Sequence, residues 1–229
     1  HDVNFETNPR QRLSLEEEIK INETAKCSII GGTCETRPDC ITQDELKWFR
    51  KLGLTRVQIG VQHTDDAILK YVNRGCYTKH TIRAIKLLKE SGMKIDVHLM
   101  PDLPGSDPEK DKEMFDRMLD DPNLSFDQLK IYPCAIVPYT KIEKWYNNYK
   151  RNYNTELNPE KLPDNENRVY CPYAEEIIPD KVIKRGKTEL YSTPLIELLI
   201  YVKSKMHPWI RINRVQRDIP SNVIIGGNS

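Results

Sequence analysis

Short strand-like runs alternate with helix-forming segments through most of this chain of 229 residues. The clearest run places Ile95, Val97 and Leu99 on one side and Asp96 and His98 on the other, which is the period of a β-strand. Strands that alternate with helices of this length predict βαβ units and a parallel sheet. Five strands are predicted, fewer than a closed barrel of this kind requires. The predicted fold is therefore α/β, a partial, open TIM-like parallel βα barrel.

Capping patterns indicate where the helices begin and end. Ser-Leu-Glu-Glu at 14–17 and Thr-Gln-Asp-Glu at 42–45 are capping boxes, and Gly53 is expected to end the second helix. Pro108 fits the first turn of a later helix, where its missing N–H is not needed. Further helices are predicted at 78–91 and 194–206, and further strands at 27–33, 56–61, 129–132 and 210–215.

One stretch departs from this alternation. Residues 145–191 are rich in Asn, Tyr, Lys and Pro without clear periodicity, so an insertion or long loop is predicted there. The chain is accordingly divided into a partial barrel at 1–144, the insertion at 145–191, and the last barrel helix and strand with the start of a linker at 192–229.

Composition excludes some classes of protein. The chain is 30% charged and 38% hydrophobic, as expected of a globular domain. No apolar run is long enough to cross a membrane, and the first residues do not form a signal peptide, so an intracellular, cytoplasmic location is expected. The net charge of +1 means that any nucleic-acid surface must be a local patch. The first residue is His1, not Met, so the sequence is expected to be part of a longer chain.

The six cysteines are sparse for a chain of this length, which predicts reduced thiols, not a disulfide framework. Cys27, Cys34 and Cys40 are too widely spaced for the tight loop that binds an iron–sulfur cluster. The spacing of Cys134, Cys171 and His207 does not require a structural metal either. No metal ligand is predicted in this chain.

Six short motifs point to one family. In chain order they are Glu-Thr-Arg-Pro-Asp at 35–39, Gln-Ile-Gly-Val-Gln at 58–62, Asn-Arg-Gly at 73–75, His-Leu-Met-Pro-Asp-Leu-Pro-Gly at 98–105, Leu-Lys-Ile-Tyr-Pro at 129–133 and Arg-Val-Gln-Arg-Asp-Ile-Pro at 214–220. A single motif of this length recurs by chance, whereas six in register do not. Together they resemble the catalytic subunit of Elongator, a radical S-adenosylmethionine enzyme, from about residue 22 to 220.

The resemblance implies a function for the complete protein. Such enzymes bind a 4Fe–4S cluster and S-adenosylmethionine, and they use acetyl-CoA to add a carboxymethyl-type group to C5 of the wobble uridine of tRNA. The implied partners are tRNA, an acetyltransferase-like domain in the same chain and other Elongator-like subunits. Because the cluster cysteines and that domain are absent from this sequence, the segment alone is expected to be cluster-free and catalytically silent.

Two other functions stay open. One is a lysine acetyltransferase subunit, an activity also attributed to the family. The other is a tRNA-binding scaffold whose radical chemistry has decayed. Cys40 and Cys76 favour the scaffold, since they stand where the family usually has Tyr and His.

Glu35 and Arg37 follow the first predicted strand, at the end where barrel enzymes place functional groups. A carboxylate suits the ribose hydroxyls of S-adenosylmethionine, and a guanidinium suits its carboxylate. The alternative is that Glu35 and Arg37 pair with each other and brace the loop before Pro38. Gln62 ends the second strand and is a further candidate for cofactor binding.

His98, Asp102 and Lys130 complete the predicted cofactor-binding set. His98 shares a strand face with Asp96, but the sequence does not decide whether that face points into the barrel or toward the helices. Asp102 follows in a loop where it is expected to be free to bind a polar group. Lys130 is costly inside a barrel unless it is paired or bound to an anion, so a functional role and a structural ion pair both remain open.

Two groups of basic residues are candidates for RNA binding. Arg211, Arg214 and Arg217 cluster near the last strand, where they suit phosphate recognition or the docking of the neighbouring domain. Lys141 and Lys144 lie among aromatic residues, as in surfaces that bind single-stranded RNA. An ordinary amphipathic surface helix explains the second group equally well.

Overall fold

The computed structural model of the chain describes residues 12–152, 168–185 and 188–227. Within these residues the helices are α1 (Leu15–Thr24), α2 (Gln43–Lys51), α3 (Asp66–Tyr71), α4 (Thr78–Glu90), α5 (Pro108–Asp120), α6 (Lys141–Asn152) and α7 (Pro194–Lys205). The strands are β1 (Gly32–Thr36), β2 (Leu54–Gln62), β3 (Lys94–Leu99), β4 (Gln128–Ile131), β5 (Ala135–Ile136), β6 (Ile178–Arg185), β7 (Thr188–Ser192), β8 (Arg211–Val215) and β9 (Gly226–Gly227).

The main sheet has five parallel strands in the order β1-β2-β3-β4-β8. Among the described residues its outer strands β1 and β8 each have one neighbour, so the sheet is open at both edges. The predicted α/β fold with five parallel strands is confirmed. Two small antiparallel pairs, β5 with β9 and β6 with β7, lie outside this sheet.

One face of the sheet is apolar and packs against the helices. Val57, Ile59 and Val97 are completely buried there and form the main core with residues such as Leu88 and Phe115. Burying each such side chain contributes about 1.5–3 kcal/mol. Alternate residues point to the opposite side of the sheet, which we call the polar face: Glu35, Arg56, Gln58, Gly60, Asp96, His98, Gln128, Lys130 and Asn213.

The predicted helix boundaries follow from local hydrogen bonds. Ser14 forms a reciprocal capping box at the start of α1, and Thr42 caps α2 by accepting from the Glu45 backbone N–H. Gly53 follows α2 with φ of +70°, a conformation that glycine adopts without strain. Pro108 occupies the first turn of α5, as predicted.

The predicted first strand, 27–33, is wrong in its start. The strand begins at Gly32 because the preceding stretch is tied to α1: the Asn22 amide donates to the Ile29 carbonyl oxygen (2.9 Å) and accepts from its N–H (2.7 Å). Ile29 and Ile30 are exposed, so their apolar character does not reflect a buried strand. Strand propensity alone therefore misplaced this boundary.

The stretch 145–191 contains more regular structure than its sequence pattern indicated. It begins inside α6, and β6 and most of β7 lie in it. Trp145, Tyr146 and Tyr170 are buried in a second apolar cluster, together with Ile68 and Leu103 from the ends of the barrel units. Trp145, Tyr146 and Tyr170 thus pack against residues that follow strands of the sheet, whereas much of β6 and β7 is exposed.

Candidate active site

His98 lies on the polar face, near the carboxyl end of the sheet. Its side chain is 6% exposed, and its Nδ1 lies 3.3 Å from Glu35 Oε1. The ring meets Tyr132 edge-on, with the ring centroids 5.4 Å apart. Burial lowers the pKa of His98, an effect that the charge of Glu35 opposes. The structure therefore places His98 and Glu35 together on the side of the sheet away from the helices.

Lys130 lies on the same face and has polar neighbours on two strands. Its Nζ donates to Gln58 Oε1 (2.8 Å) and lies 3.8 Å from Asp96 Oδ2. Asp96 is completely buried, and its Oδ2 also accepts a hydrogen bond from Asn213 (2.9 Å). Burial raises the pKa of Asp96. Lys130 thus makes a long ion pair while remaining part of a connected polar network.

Four buried side-chain atoms in the described residues have no hydrogen-bond partner: Arg56 Nε, Arg74 Nε, Asp96 Oδ1 and His98 Nε2. Three of them belong to residues of the polar face, and the fourth, from Arg74, reaches it over Gly60. Buried polar groups are rarely left unpaired, so each such atom needs an explanation. Two of them, on Asp96 and His98 of β3, lie close together and are available to a polar ligand at this face.

Arg37 does not pair with Glu35. Its Nε and Nη2 donate to the two carboxylate oxygens of Asp39, at 2.9 and 2.6 Å. Glu35 keeps an exposed carboxylate that contacts His98. The predicted brace before Pro38 thus exists, but its acid is Asp39.

Gln62 ends β2 with φ of +70°, a strained conformation for a side chain of this size. Its Nε2 lies 2.9 Å from the position that a Cβ on Gly60 would take, so the amide lies over the polar face. Gln62 therefore joins Glu35, His98 and Lys130 at this surface.

The expectation that Asp102 is free is wrong. Its two carboxyl oxygens accept hydrogen bonds from the backbone N–H groups of Tyr173 (3.1 Å) and Ala174 (3.0 Å), and the side chain is buried. Burial raises the pKa of Asp102 to about 8, against the lowering effect of these two hydrogen bonds. Asp102 holds the segment around Tyr173 against the end of β3.

Sequence reasoning missed Asp111, which is fully buried in α5 and accepts four hydrogen bonds. Its Oδ1 accepts a hydrogen bond from Ser106 Oγ (2.6 Å) and lies 2.9 Å from His63 Nε2. Its Oδ2 accepts hydrogen bonds from the Asp102 backbone N–H (2.6 Å) and from the Tyr173 hydroxyl (2.5 Å). His63 Nδ1 accepts from the backbone N–H of Asp65, so Nε2 carries the proton. In the sequence Asp111 is one acid of a charged helix, and nothing distinguishes it from a solvated residue.

A model of the radical SAM superfamily matches residues 4–118, half of the chain. This chain belongs to the radical SAM superfamily. It is 39% identical to the "tRNA uridine(34) acetyltransferase" of Methanocaldococcus infernus, covering 96% of this chain and 34% of that protein. It is 30% identical to human "Elongator complex protein 3", covering 93% of this chain and 32% of that protein. The chain thus spans about a third of the length of these curated relatives.

Solved structures agree with this family. The N-terminally truncated archaeal Elp3 of Methanocaldococcus infernus matches with a TM-score of 0.75 over 96% of this chain and 43% of that chain, at 39% identity. The radical S-adenosylmethionine methyltransferase TsrM of Kitasatospora setae matches with a TM-score of 0.51 over 86% of this chain, at 15% identity. The second likeness shows the fold alone.

The superfamily implies S-adenosylmethionine and a 4Fe–4S cluster, and the described residues fit these two groups differently. No three His, Cys, Asp or Glu side chains in the part of the chain that the structure describes lie together as a metal site. Cys27 and Cys40 are exposed, whereas Cys34 packs against the core, so this triad does not converge. The polar face, where Asp96 Oδ1 and His98 Nε2 have no partner among the described residues, does fit a polar cofactor such as S-adenosylmethionine.

The two basic groups lie on different elements. Arg211, Arg214 and Arg217 are exposed on and after β8, and the Arg214 guanidinium lies 4.0 Å from the carboxylate of Asp218. Burial raises the pKa of Tyr132, and the charges of Arg214 and Arg217 oppose that rise, so both guanidinium groups lie within electrostatic reach of the polar face.

Lys141 and Lys144 are exposed on α6. Lys141 lines a groove of about 800 Å³ together with Tyr71, Trp145 and Arg168. The Arg168 guanidinium lies 4.0 Å from the ring centroid of Tyr71.

None of the described helices is long and apolar enough to traverse a membrane.

Proposed function

We propose that this chain is part of a radical SAM enzyme that adds a carboxymethyl-type group, derived from acetyl-CoA, to C5 of the wobble uridine of tRNA. The observation that carries the proposal is the polar face with its unpartnered buried atoms. This face occurs in a chain that is 39% identical to a protein named tRNA uridine(34) acetyltransferase. Because this chain covers about a third of that relative, the activity belongs to the complete protein.

In this proposal S-adenosylmethionine binds the polar face at the carboxyl ends of β1 to β4. The exposed Glu35 carboxylate accepts from the ribose hydroxyls, and Gln62 offers an amide donor beside it. His98 Nε2 and Lys130 Nζ supply further polar contacts on the neighbouring strands. Once bound at this face, the cofactor would supply, on one-electron reduction, a carbon radical able to abstract hydrogen from the methyl group of acetyl-CoA.

The residues around the face hold it in place and exclude water. Asp102 and Asp111 bind the segment around Tyr173 over the end of the sheet, and Tyr132 covers one side of His98. A radical enzyme needs such shielding because water and stray hydrogen donors quench its intermediates. Arg37, paired with Asp39, braces the turn that follows β1, the strand that carries Glu35.

In this proposal the exposed basic residues bind the tRNA through its phosphate groups. Arg211, Arg214 and Arg217 bind the backbone beside the face, and Lys141 and Lys144 bind it near the aromatic groove. We further propose that the complete protein carries an acetyltransferase-like domain, assembles with other Elongator-like subunits and acts in the cytoplasm. Names of the relatives support the tRNA substrate and the Elongator context.

The test uses the full-length protein, reconstituted anaerobically with iron and sulfide and given dithionite, S-adenosylmethionine, tRNA and acetyl-CoA labelled with 13C at its methyl carbon. Nucleoside mass spectrometry is expected to find a labelled carboxymethyl-type group on the wobble uridine. His98→Gln is expected to abolish the product. His207→Gln is the matched control, because the His207 ring stacks on Trp209 and not on the polar face, and this variant is expected to retain the product. Acetylated lysine without modified uridine would favour the acetyltransferase function, and tRNA binding without any product would favour the scaffold.

A further inference from the structure

The aromatic groove, about 800 Å³ in volume, runs between the turn after α3 and the first turns of α6. Three of its described lining residues are cations and three are aromatic: Lys70, Lys141, Arg168, Tyr71, Tyr77 and Trp145. None of the lining residues that the structure describes is acidic. Basic and aromatic side chains in one groove suit a ligand that carries both negative charge and a flat ring.

Arg168 presents a flat surface in this groove. Its guanidinium lies 4.0 Å from the ring centroid of Tyr71, and its Nη1 donates to the Tyr71 carbonyl oxygen at 2.8 Å. Trp145 is buried and supports Tyr71 from within, with the ring centroids 5.7 Å apart. Because Arg168 is only half-buried and lines the groove, the side of its guanidinium away from Tyr71 is available to a ligand. Unpaired nucleobases stack on guanidinium planes of this kind.

Exposed lysines flank this surface on two helices. Lys70 lies near the end of α3, and Lys141 and Lys144 lie three residues apart at the start of α6, where they are neighbours on the helix surface. Positive charges that are spread in this way suit the successive phosphates of a nucleic-acid strand. A free nucleotide concentrates its phosphate charge at one point, so this arrangement favours a strand over a small nucleotide ligand.

The groove lies next to the polar face. Asn73 is exposed and lines the groove, and the next residue, Arg74, donates to the carbonyl oxygen of Gly60 on the polar face at 2.8 Å. Gly60 is in turn the register partner of His98. A strand that places its target base at the polar face would therefore bring a flanking nucleotide to the groove.

We propose that the aromatic groove binds an unpaired nucleotide that flanks the wobble uridine, with its base stacked on Arg168 and its phosphate beside Lys141. This assignment rests on the proposed function, because it requires tRNA as the substrate. Stacking tolerates any base, so the groove holds the strand in place without selecting its sequence. Holding the flanking base out of the anticodon stack leaves the uridine free to enter the site at the polar face.

The experiment uses the full-length, reconstituted protein and fluorescently labelled anticodon stem–loop RNAs, without acetyl-CoA. Each RNA of a series lacks the base at one loop position but keeps the backbone intact, and fluorescence anisotropy gives each dissociation constant. Arg168→Gln is expected to weaken binding of the intact loop about fivefold or more, as the loss of one stacked base would. The RNA that lacks the base next to the wobble uridine should bind the wild type and this variant equally, because the contact is already gone.

Matched variants control for the charge and for the fold. Arg117→Gln removes another guanidinium that donates to a backbone carbonyl oxygen, that of Thr64 (3.1 Å), but lies outside the groove, and it is expected to bind every RNA as the wild type does. Arg168→Lys keeps the charge without the flat surface and serves if the Gln variant does not fold. Its loss of affinity should depend on the same single base.

Two kinds of result would overturn the assignment. One is a loss of RNA affinity in the Arg168 variants that is the same for every RNA of the series, or no loss at all. The other is a loss of affinity for acetyl-CoA in place of RNA, which would show that the groove holds the nucleotide of that substrate. A wild type that binds neither the intact stem–loop nor whole tRNA would refute the proposed function itself.

Discussion

Asp111→Asn tests whether the buried network holds the segment around Tyr173 to the sheet. The substitution keeps the shape of the side chain but replaces one acceptor oxygen by an NH2 group. On the Oδ1 side the NH2 group would face the His63 Nε2–H, and on the Oδ2 side it would face the Asp102 N–H. Neither of these donors can turn away, whereas the hydroxyls of Ser106 and Tyr173 can rotate and accept.

The structure gives the size of the effect. Whichever way the Asn amide turns, one fixed buried donor loses its acceptor, which costs about 1–3 kcal/mol. The remaining three hydrogen bonds lose a charged acceptor, which weakens each by roughly 0.5–1 kcal/mol. Removing the buried charge offsets part of this loss. We expect the free energy of unfolding to fall by about 3 kcal/mol.

Urea unfolding at pH 7, followed by tryptophan fluorescence, measures this loss as a lower midpoint at an unchanged slope. Asp116→Asn is the control, because Asp116 lies in the same helix and accepts from Tyr201 and Lys205, but its side chain is 31% exposed. The control is expected to lose at most about 1 kcal/mol. If Asp111→Asn unfolds within about 0.5 kcal/mol of the wild type, the network does not stabilise the fold as argued.

Three further predictions concern charge. The pKa of Asp102 is about 8 in the folded protein and near 3.8 in the unfolded chain, so folding takes up a proton between these two pH values. Over that range the free energy of unfolding is expected to fall by up to about 1.4 kcal/mol per pH unit as the pH rises. Asp102→Asn should remove this slope in urea titrations at pH 5, 6.5 and 8, and parallel curves would contradict the raised pKa. Glu35→Gln removes the charge that raises the pKa of His98, so an NMR titration should find that pKa lower still; an unchanged value would show that the pair is not formed. Replacing both Arg214 and Arg217 by Glu should weaken tRNA binding and flatten its salt dependence, while unchanged binding would favour domain docking.

The sequence predicted the parallel sheet because alternation and capping are local signals. In β3 the polar and apolar sides follow directly from the order of residues 95–99. Which of the two sides faces the helices depends on the packing of α4 and α5, so the position of His98 became clear only in the structure. The strand start at 27 failed because Asn22 binds Ile29, a contact that propensity does not register.

The site was less predictable than the fold. Arg74 reaches the polar face through a bond to Gly60, 14 residues away in the chain. Asp111 meets His63 across 48 residues and Tyr173 across 62. Such contacts leave no local pattern in the sequence. The sequence therefore did not reveal that the side chain of Asp102 binds the backbone around Tyr173, or that Arg37 pairs with Asp39.

The most direct test of the central claim is the formation of 5′-deoxyadenosine by the full-length protein. The enzyme is reconstituted anaerobically and given dithionite, S-adenosylmethionine and acetyl-CoA, with and without tRNA. A radical SAM enzyme that modifies tRNA should release 5′-deoxyadenosine, and more of it when tRNA is present. A protein that binds tRNA and a cluster but releases no 5′-deoxyadenosine under either condition would contradict the account.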